Sequence, residues 1–486
     1  MSAVGITARS AERIALYKSR GYSPDALPKE VIETEPAGFV ELFQRYEELL
    51  IRLNAVDFED LIILPLRLLS QQPDLRRDCL SRSPVIAVDE FQDLNRTQYE
   101  LFRLLAIAAR HVCVIGDPDQ AIYGFRGADR RFFQQFALDF PNAVTIRLTR
   151  NYRSTQNILS ASQQMLHGID RVDERRLWSP IISDVKVVVS ESPSERAEAE
   201  FVIQKIEQLV GGTAFFSYDS ERVASPAHAR YAFGDFAVLL RSRQLAPPLV
   251  EALARSGIPF AYADDALLLE EPLVRLVMTS WRSRSESPAA ELREAAVDYF
   301  QSDAAALRFI EASAMLPTAA GVPELIGLLR SFLPNDDLDD SRRILGRLER
   351  WAAFFENDAQ RFFDALILQR RIDGLERADR VRLLTLHAAK GLEFPVVFIV
   401  GCEEGVLPYF AAGRKTDLDE ERRLLYVGMT RAQRCLFLCR SKTRVINGAK
   451  QLQTPSRFLD AISESLLQQE KSAHAALHRP QQLSLF

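Results

Sequence analysis

From Phe39 to about Leu69 apolar residues return every three or four positions, through Leu42, Phe43, Tyr46, Leu49, Leu50 and Leu53, then Phe58, Leu61, Ile62, Leu66 and Leu69. That spacing lays one stripe along a helix and predicts packed amphipathic helices. After the turn-like Ser81-Arg82-Ser83-Pro84 the period changes. Val85-Ile86-Ala87-Val88 is a short continuous apolar run that stops on Asp89-Glu90, the pattern of a buried strand. A helical stretch from Arg96 to Ala109 leads to a second such run, Val112 to Ile115, which ends at Gly116-Asp117; Val144 to Leu148 predicts a third strand. Strand, helix and strand in this rhythm imply a parallel α/β sheet, whose ligand crevice lies beyond the carboxyl ends of its strands. Asp89, Glu90, Asp117 and Asp119 gather at that end.

The second half repeats the alternation. Strands are expected at Lys186 to Val189 and Phe236 to Arg241, and helices at Glu195 to Val210 and Leu245 to Ser256, the latter closed by Gly257. From about Asp264 to Arg377 the pattern is almost purely helical, and strands return at Arg382 to Leu386, Val396 to Val400 and Cys435 to Leu438. A helical subdomain inserted into a second α/β domain accounts for this order. After Leu459 the chain is polar and is expected to be loose up to its last five residues.

Composition adds bounds. A chain of 486 residues, 47% hydrophobic and 26% charged, is long enough for several packed domains and too apolar to be disordered. No apolar run is long enough to cross a bilayer and no signal segment opens the sequence, so a cytoplasmic protein without a membrane partner is expected. The five cysteines, Cys79, Cys113, Cys402, Cys435 and Cys439, form no metal-binding pairs and read as reduced core residues. A net charge of -5 means that any contact with nucleic acid uses local basic patches.

Chemistry concentrates in ordered blocks. Asp89-Glu90-Phe91-Gln92-Asp93 sets two acids directly after a strand, a position suited to a hydrated magnesium ion and to polarising an attacking water. Ile115 to Ala128 follows, with Gln120 and then Tyr123, Phe125 and Arg126, aromatic rings beside a cation that can stack on bases. Next come Leu148 to Ser154 with Tyr152 and Arg153, Arg382 to Pro408 with Thr385, His387, Lys390 and Glu393, and Glu420 to Ala432 with Arg431. Taken in this order, the blocks resemble the Walker B box and the third to sixth motifs of UvrD/Rep-type superfamily 1 DNA helicases; Val56 to Leu61 also fits that family's segment before its Walker B strand.

The resemblance implies a fold of two RecA-like α/β domains of the P-loop NTPase type, the first incomplete, with helical insertions. It implies an ATP-dependent DNA helicase and ATP hydrolase working 3′ to 5′ in DNA repair or replication, with ATP and Mg2+ as cofactors. Asp89 would hold magnesium, Glu90 would be the general base, Gln120 would sense the γ-phosphate and Arg431 would be an arginine finger. Tyr152 would stack on adenine, Arg153 would reach a phosphate and Glu393 would meet the ribose. Tyr123, Phe125, Arg126, Thr385, His387 and Lys390 would face single-stranded or duplex DNA.

Members of that family also carry a phosphate-cradling loop, GxxxxGK[ST], well upstream of the Walker B box. No Gly-Lys-Ser or Gly-Lys-Thr occurs in these 486 residues, and 88 residues precede Asp89. The expectation is a truncated or split helicase that needs another chain to supply the Walker A region and hydrolyses little or no ATP alone. The alternative is a non-catalytic DNA-binding or scaffold protein. The expected domains are 1–78, a helical remnant of the subdomain inserted in the first motor domain; 79–165, the incomplete N-terminal motor domain with its fourth motif; 166–263 with 380–455, the C-terminal motor domain; 264–379, a shortened helical insertion; and 456–486, a flexible tail. Within that tail Gln482-Leu483-Ser484-Leu485-Phe486 resembles the peptide that docks bacterial repair proteins on the sliding clamp, Leu485 and Phe486 filling an apolar pocket.

Overall fold

A computed structural model describes residues 8–471, less 82–83, 108, 168–175, 212–230, 263–271, 284–288, 301, 317–320, 333–339, 355–357, 359–360, 363–378, 411–415 and 447. The chain divides into two compact units. The first comprises 1–147, 170–174 and 272–350, and the second 148–169, 175–271 and 351–486.

Unit 1 opens with helices α1 (Ala8–Ser19), α2 (Lys29–Thr34), α3 (Phe39–Arg52), α4 (Asp60–Gln71) and α5 (Pro73–Ser81). The apolar stripe behaves as its spacing dictates: Phe39, Phe43, Tyr46, Leu49 and Leu50 of α3 are buried against Ile14 and Tyr17 of α1. At the edge of this cluster the Lys18 ammonium pairs with Asp57 and Asp60 at 2.7 Å and with Glu47 at 2.9 Å. Burial opposes the charge on Lys18, but its hydrogen bonds to Asp57, Asp60 and Glu47 outweigh it and raise the pKa.

Strand β1 (Val85–Val88) then pairs in parallel with β2 (His111–Val114), joined by α6 (Arg96–Ala106) and followed by α7 (Phe132–Asp139). Asn95 starts α6 with a reciprocal capping box to Gln98. One face of this sheet, Ile86, Val88, Val112 and Val114, packs on the aromatic cluster of Phe91, Tyr99, Phe102, Phe133 and Phe136. Its other face is open among the described residues: Val85 is 59% exposed, and His111 and Cys113 are exposed with it. The third strand expected at Val144 to Leu148 does not form. No neighbouring strand among the described residues takes its N–H and C=O groups, and Val144 is 86% exposed. Helices α11 (Pro272–Arg282), α12 (Ala289–Phe300), α13 (Asp303–Ala314), α14 (Val322–Phe332) and α15 (Asp340–Phe354) realise the helical stretch read from the sequence, lying in sequence between Tyr262 and Val381.

Unit 2 is built on a seven-stranded sheet of β3 (Val187–Ser192), β4 (Phe236–Leu240), β5 (Phe260–Tyr262), β6 (Val381–Thr385), β7 (Phe394–Ile399), β8 (Ala432–Ser441) and β11 (Leu467–Lys471). Their order is β11-β3-β8-β7-β4-β6-β5 and every pairing is parallel. β4 is wholly buried because helices cover both faces, the arrangement a parallel sheet requires. Helices α9 (Glu195–Val210) and α10 (Ala246–Arg255) lie on one face; α8 (Gln156–Met165) and α16 (Leu418–Met429) pack on the other. A Cβ on Gly428 would run into Leu386 and come within 3.1 Å of Ile399, so glycine is what lets α16 approach β7 this closely. A short antiparallel hairpin, β9 (Thr443–Ile446) with β10 (Ala449–Leu452), follows β8. It carries Arg444, which is buried between Glu198 of α9, at 2.6 Å, and Glu403, at 2.8 Å.

Three further expectations change. The chain after Leu459 is not loose throughout: β11 joins the sheet beside β3, its backbone satisfying an edge that the polar residues Gln468, Gln469 and Glu470 do not advertise. The fourth motif and α8 belong to unit 2 rather than to the N-terminal domain, because the Ser154 hydroxyl donates to the Ala432 carbonyl at 2.6 Å and the Thr155 N–H to that of Gln433 at 3.0 Å. All five cysteines are free; Cys402 and Cys439 are buried as expected, while Cys79 and Cys113 are exposed. Residues 482–486 lie outside the described residues.

Candidate motor site

β1 and β2 end in register, Val88 opposite Val114, and their ladder runs on through Ile115 N–H to Val88 O (2.8 Å) and Phe91 N–H to Ile115 O (2.9 Å). Asp89 and Glu90 therefore leave the sheet beside Gly116 and Asp117. Glu90 is held at φ 50°, ψ 43°, in the left-handed region that costs a side chain about 1–2 kcal/mol. The turn persists because its surroundings fix it. Phe91 is buried among the rings of Tyr99, Phe102, Phe133 and Phe136, with centroids 5.3–6.1 Å away. The Gln92 amide donates to the Glu90 carboxylate and accepts the Asp117 N–H at 2.9 Å. Asp117 in turn accepts from the Gln120 amide at 2.8 Å and from the Asp119 N–H at 3.0 Å. Glu90 and Gln120 are thus joined through Gln92 and Asp117, two residues whose linking role was not legible in the motifs. At Gly116 a Cβ would collide with the Gln92 side chain and with Phe133, so the close passage of β2 past Gln92 requires glycine.

Farther along, the turn Gly124–Arg126 carries the second group. Ile122 anchors it in the core, Phe125 is 55% exposed, and the Arg126 guanidinium lies 5.4 Å from the Tyr123 ring centre and 5.5 Å from that of Phe125. Burial, then the Asp93 carboxylate, raises the Tyr123 pKa, keeping the phenol neutral. The cluster presents one exposed ring and one cation side by side.

In unit 2 the Asn151 side chain accepts the N–H groups of Arg153 (2.9 Å) and Ser154 (2.8 Å), folding the fourth motif into a tight turn. Tyr152 is 70% exposed. Arg150 is sandwiched between it, at 4.7 Å, and Trp178, at 5.1 Å, while backbone hydrogen bonds from Asn151 to Trp178 and from Trp178 to Thr149 fix the two segments together. The Arg153 Nε donates to Glu393 at 2.5 Å and the Gln433 amide to the same carboxylate at 3.0 Å; the Arg153 hydrogen bond is the main reason the Glu393 pKa is lowered. Arg431 is only 2% exposed. Its guanidinium donates to the carbonyls of Val427 (2.9 Å) and Leu392 (3.1 Å), so here it braces the loop that carries Glu393. Thr385 ends β6, its hydroxyl accepts the Ala388 N–H at 3.2 Å, and His387 and Lys390 follow on the same turn.

Two charges at the start of the sixth motif reach off their own helix. Glu421 takes a two-pronged bond from Arg241 after β4, and Arg422 donates to the Met165 carbonyl at 2.7 Å. Trp178, Gln433 and Arg241, together with Arg150 inside the fourth motif, are therefore residues beside these side chains to which the motifs assigned no role. Among the described residues no cluster of three or more His, Cys, Asp or Glu could hold a metal ion by itself. No described helix is long and apolar enough to cross a membrane.

Residues 6–141 match the family model for the UvrD/REP helicase N-terminal domain, and residues 146–283 and 356–443 match that for the UvrD-like helicase C-terminal domain. The chain belongs to the UvrD/Rep family of DNA helicases. The domains of this family are RecA-like P-loop folds, in keeping with the parallel sheet of unit 2. The chain is 32% identical over 503 residues to the ATP-dependent DNA helicase PcrA of Leuconostoc citreum, covering 90% of this chain and 64% of that one. The PcrA helicase of Staphylococcus aureus strain Mu50 is 28% identical over 533 residues, 96% of this chain and 70% of the relative, and that of Staphylococcus epidermidis is 28% identical, with 93% and 68% covered. The chain thus spans about two thirds of the length of the curated relatives it matches.

Proposed function

We propose that these residues belong to an ATP-driven motor that unwinds DNA 3′ to 5′, with the phosphate-cradling loop contributed by residues outside these 486. The observation that carries the reading is the pair of strand-end acids with Glu90 held in a left-handed turn and tied through Gln92 and Asp117 to Gln120. Strain that is fixed by its surroundings is what a reacting carboxylate needs in order to stay aimed.

Asp89 is a single exposed carboxylate, and it fits magnesium, which is commonly bound through one or two carboxylates together with phosphate oxygens. Bound there as Mg-ATP, the metal would offset negative charge on the phosphates. Glu90 would take the proton from the attacking water, and Gln120 would orient that water or the phosphate by hydrogen bonding. In unit 2 the exposed Tyr152 ring, backed by Arg150 and Trp178, suits the base. Glu393 suits a ribose hydroxyl and Arg153 the phosphate charge. Arg431 would act by bracing the Glu393 loop or by exchanging its carbonyl partners for phosphate. The aromatic and cationic turn at Tyr123, Phe125 and Arg126, and the turn at Thr385, His387 and Lys390, suit DNA.

The loop proposal draws support from the open face of β1–β2 and the exposed apolar side chains of Val144, Ile146 and Leu148, which an additional α/β segment carrying the loop would cover. Strand displacement tests the direction. With a loop-bearing segment of a PcrA relative added, duplexes with a 3′ single-stranded tail should be unwound and those with a 5′ tail should not; displacement of neither would favour a non-catalytic DNA-binding protein. Clamp docking through Gln482 to Phe486 is proposed on the sequence alone. Deleting those five residues should abolish binding to a bacterial sliding clamp in surface plasmon resonance and leave DNA binding intact, and unchanged clamp affinity would end that proposal.

A further inference from the structure

A cleft of about 750 Å³ in unit 1 lies between the end of α1, the exposed side of α6 and the turn that leads into α7. Arg20, Arg96, Arg103 and Arg131 line it. The turn that carries Phe125 and Arg126 also forms a wall of the cleft, through the backbone of Gly124 and Gly127. The end of α1 is fastened to that turn and to α6, the Ser19 hydroxyl lying 3.4 Å from the Arg126 carbonyl and the Thr97 hydroxyl 3.3 Å from that of Ser19.

The lining decides what the cleft can recognise. On its floor Tyr99 is buried, stacks on Phe132 at 4.4 Å and 9°, and donates from its hydroxyl to Asp139 at 2.9 Å, so that ring is already engaged. Asp139 is further occupied by the Gln135 amide. The cationic rim is held more loosely. Arg96 and Arg103 share Glu100 at 4.0 and 3.5 Å, and exposed pairs at such distances are worth little and exchange readily for another anion. Arg131 is bound to Asp129 through Nε and Nη2. A rim of guanidinium groups suits a chain of phosphates read without regard to sequence.

We propose that this cleft is a second nucleic-acid contact, which takes the sugar-phosphate backbone of a single DNA strand continuing past the Tyr123–Arg126 turn. The proposal rests on the reading that this turn binds DNA, and its test separates the two. Fluorescence anisotropy with oligo-dT of 8 and 24 nucleotides, and with a duplex of 24 base pairs, is measured against salt for the full chain, for the double variant Arg20→Gln/Arg103→Gln and for Phe125→Ala. All three side chains are exposed, so circular dichroism should be unchanged. The double variant should lose the affinity gained on lengthening the strand, and its salt slope on the long strand should fall by about 1.4, from about 0.7 per lost phosphate contact. Phe125→Ala should weaken both lengths. An unchanged slope in the double variant with weakening by Phe125→Ala overturns the cleft and leaves the turn. A loss confined to the duplex also overturns it. No effect from any variant overturns the cleft and the DNA reading of the turn together.

Discussion

At residue scale the conformation of Glu90 is the most informative detail, because it is a strained one that the packing of Phe91 and the hydrogen bonds of Gln92 hold in place. A carboxylate in a left-handed turn is retained at a cost to stability, and the hydrogen bond from Gln92 shows what the strain secures. Replacing Glu90 with glycine or with alanine removes the same carboxylate, but only glycine fits the backbone. Glu90→Gly should therefore be more stable than Glu90→Ala by about 1 kcal/mol in urea denaturation. Equal stability would mean that the turn relaxes once the carboxylate is gone. The positions of Asp89, Glu90 and Gln120 after β1 and β2 were legible in the sequence because each sits in a local string, an apolar run followed by acids or a loop opened by Gly116. Trp178 and Gln433 were not legible, since what they touch, Arg150 and Glu393, is set by the fold across 28 and 40 positions of chain.

Among the elements, those with a clear period formed where they were expected, and the exceptions follow from neighbours. The strand at β11 is polar and was read as loose chain, yet a pairing edge on β3 orders it. Val144 to Leu148 is apolar and was read as a strand, yet it has no such edge. Helix contacts make the same point at Lys18, whose ammonium joins α1 to α3 and to Asp57 and Asp60 at the start of α4. Removing one partner of a buried ionic cluster costs about 3–5 kcal/mol, so Lys18→Met should lower the stability of the chain by about that amount. The pH dependence follows from the two shifts. The Lys18 pKa is raised in the fold, so its contribution is complete below 10.5 and is lost as pH rises through the folded value. Burial works against the Asp57 carboxylate, but the hydrogen bond from Lys18 prevails and lowers its pKa below 3.8, so that contribution is present above 3.8 and is lost as pH falls through the folded value. The difference between wild type and Lys18→Met in denaturation midpoint should accordingly stay level between about pH 5 and 9 and shrink on either side. A difference that changes through neutrality would contradict this account.

Taken as a whole molecule, the chain has one α/β unit whose sheet is covered on both faces and another whose two described strands are covered on one. That asymmetry and the absence of any Gly-Lys-Ser/Thr string among the 486 residues both support the proposal that the phosphate-cradling loop is contributed by residues outside them. The most direct test is DNA-stimulated ATP hydrolysis, measured for these 486 residues alone and after adding a loop-bearing segment of a PcrA relative. The account predicts no hydrolysis above background from the chain alone, and hydrolysis by the mixture that Glu90→Gln lowers by about 10²–10⁴-fold. DNA-stimulated hydrolysis by the chain alone, abolished by Glu90→Gln, would contradict the account, as would hydrolysis by the mixture that does not depend on Glu90.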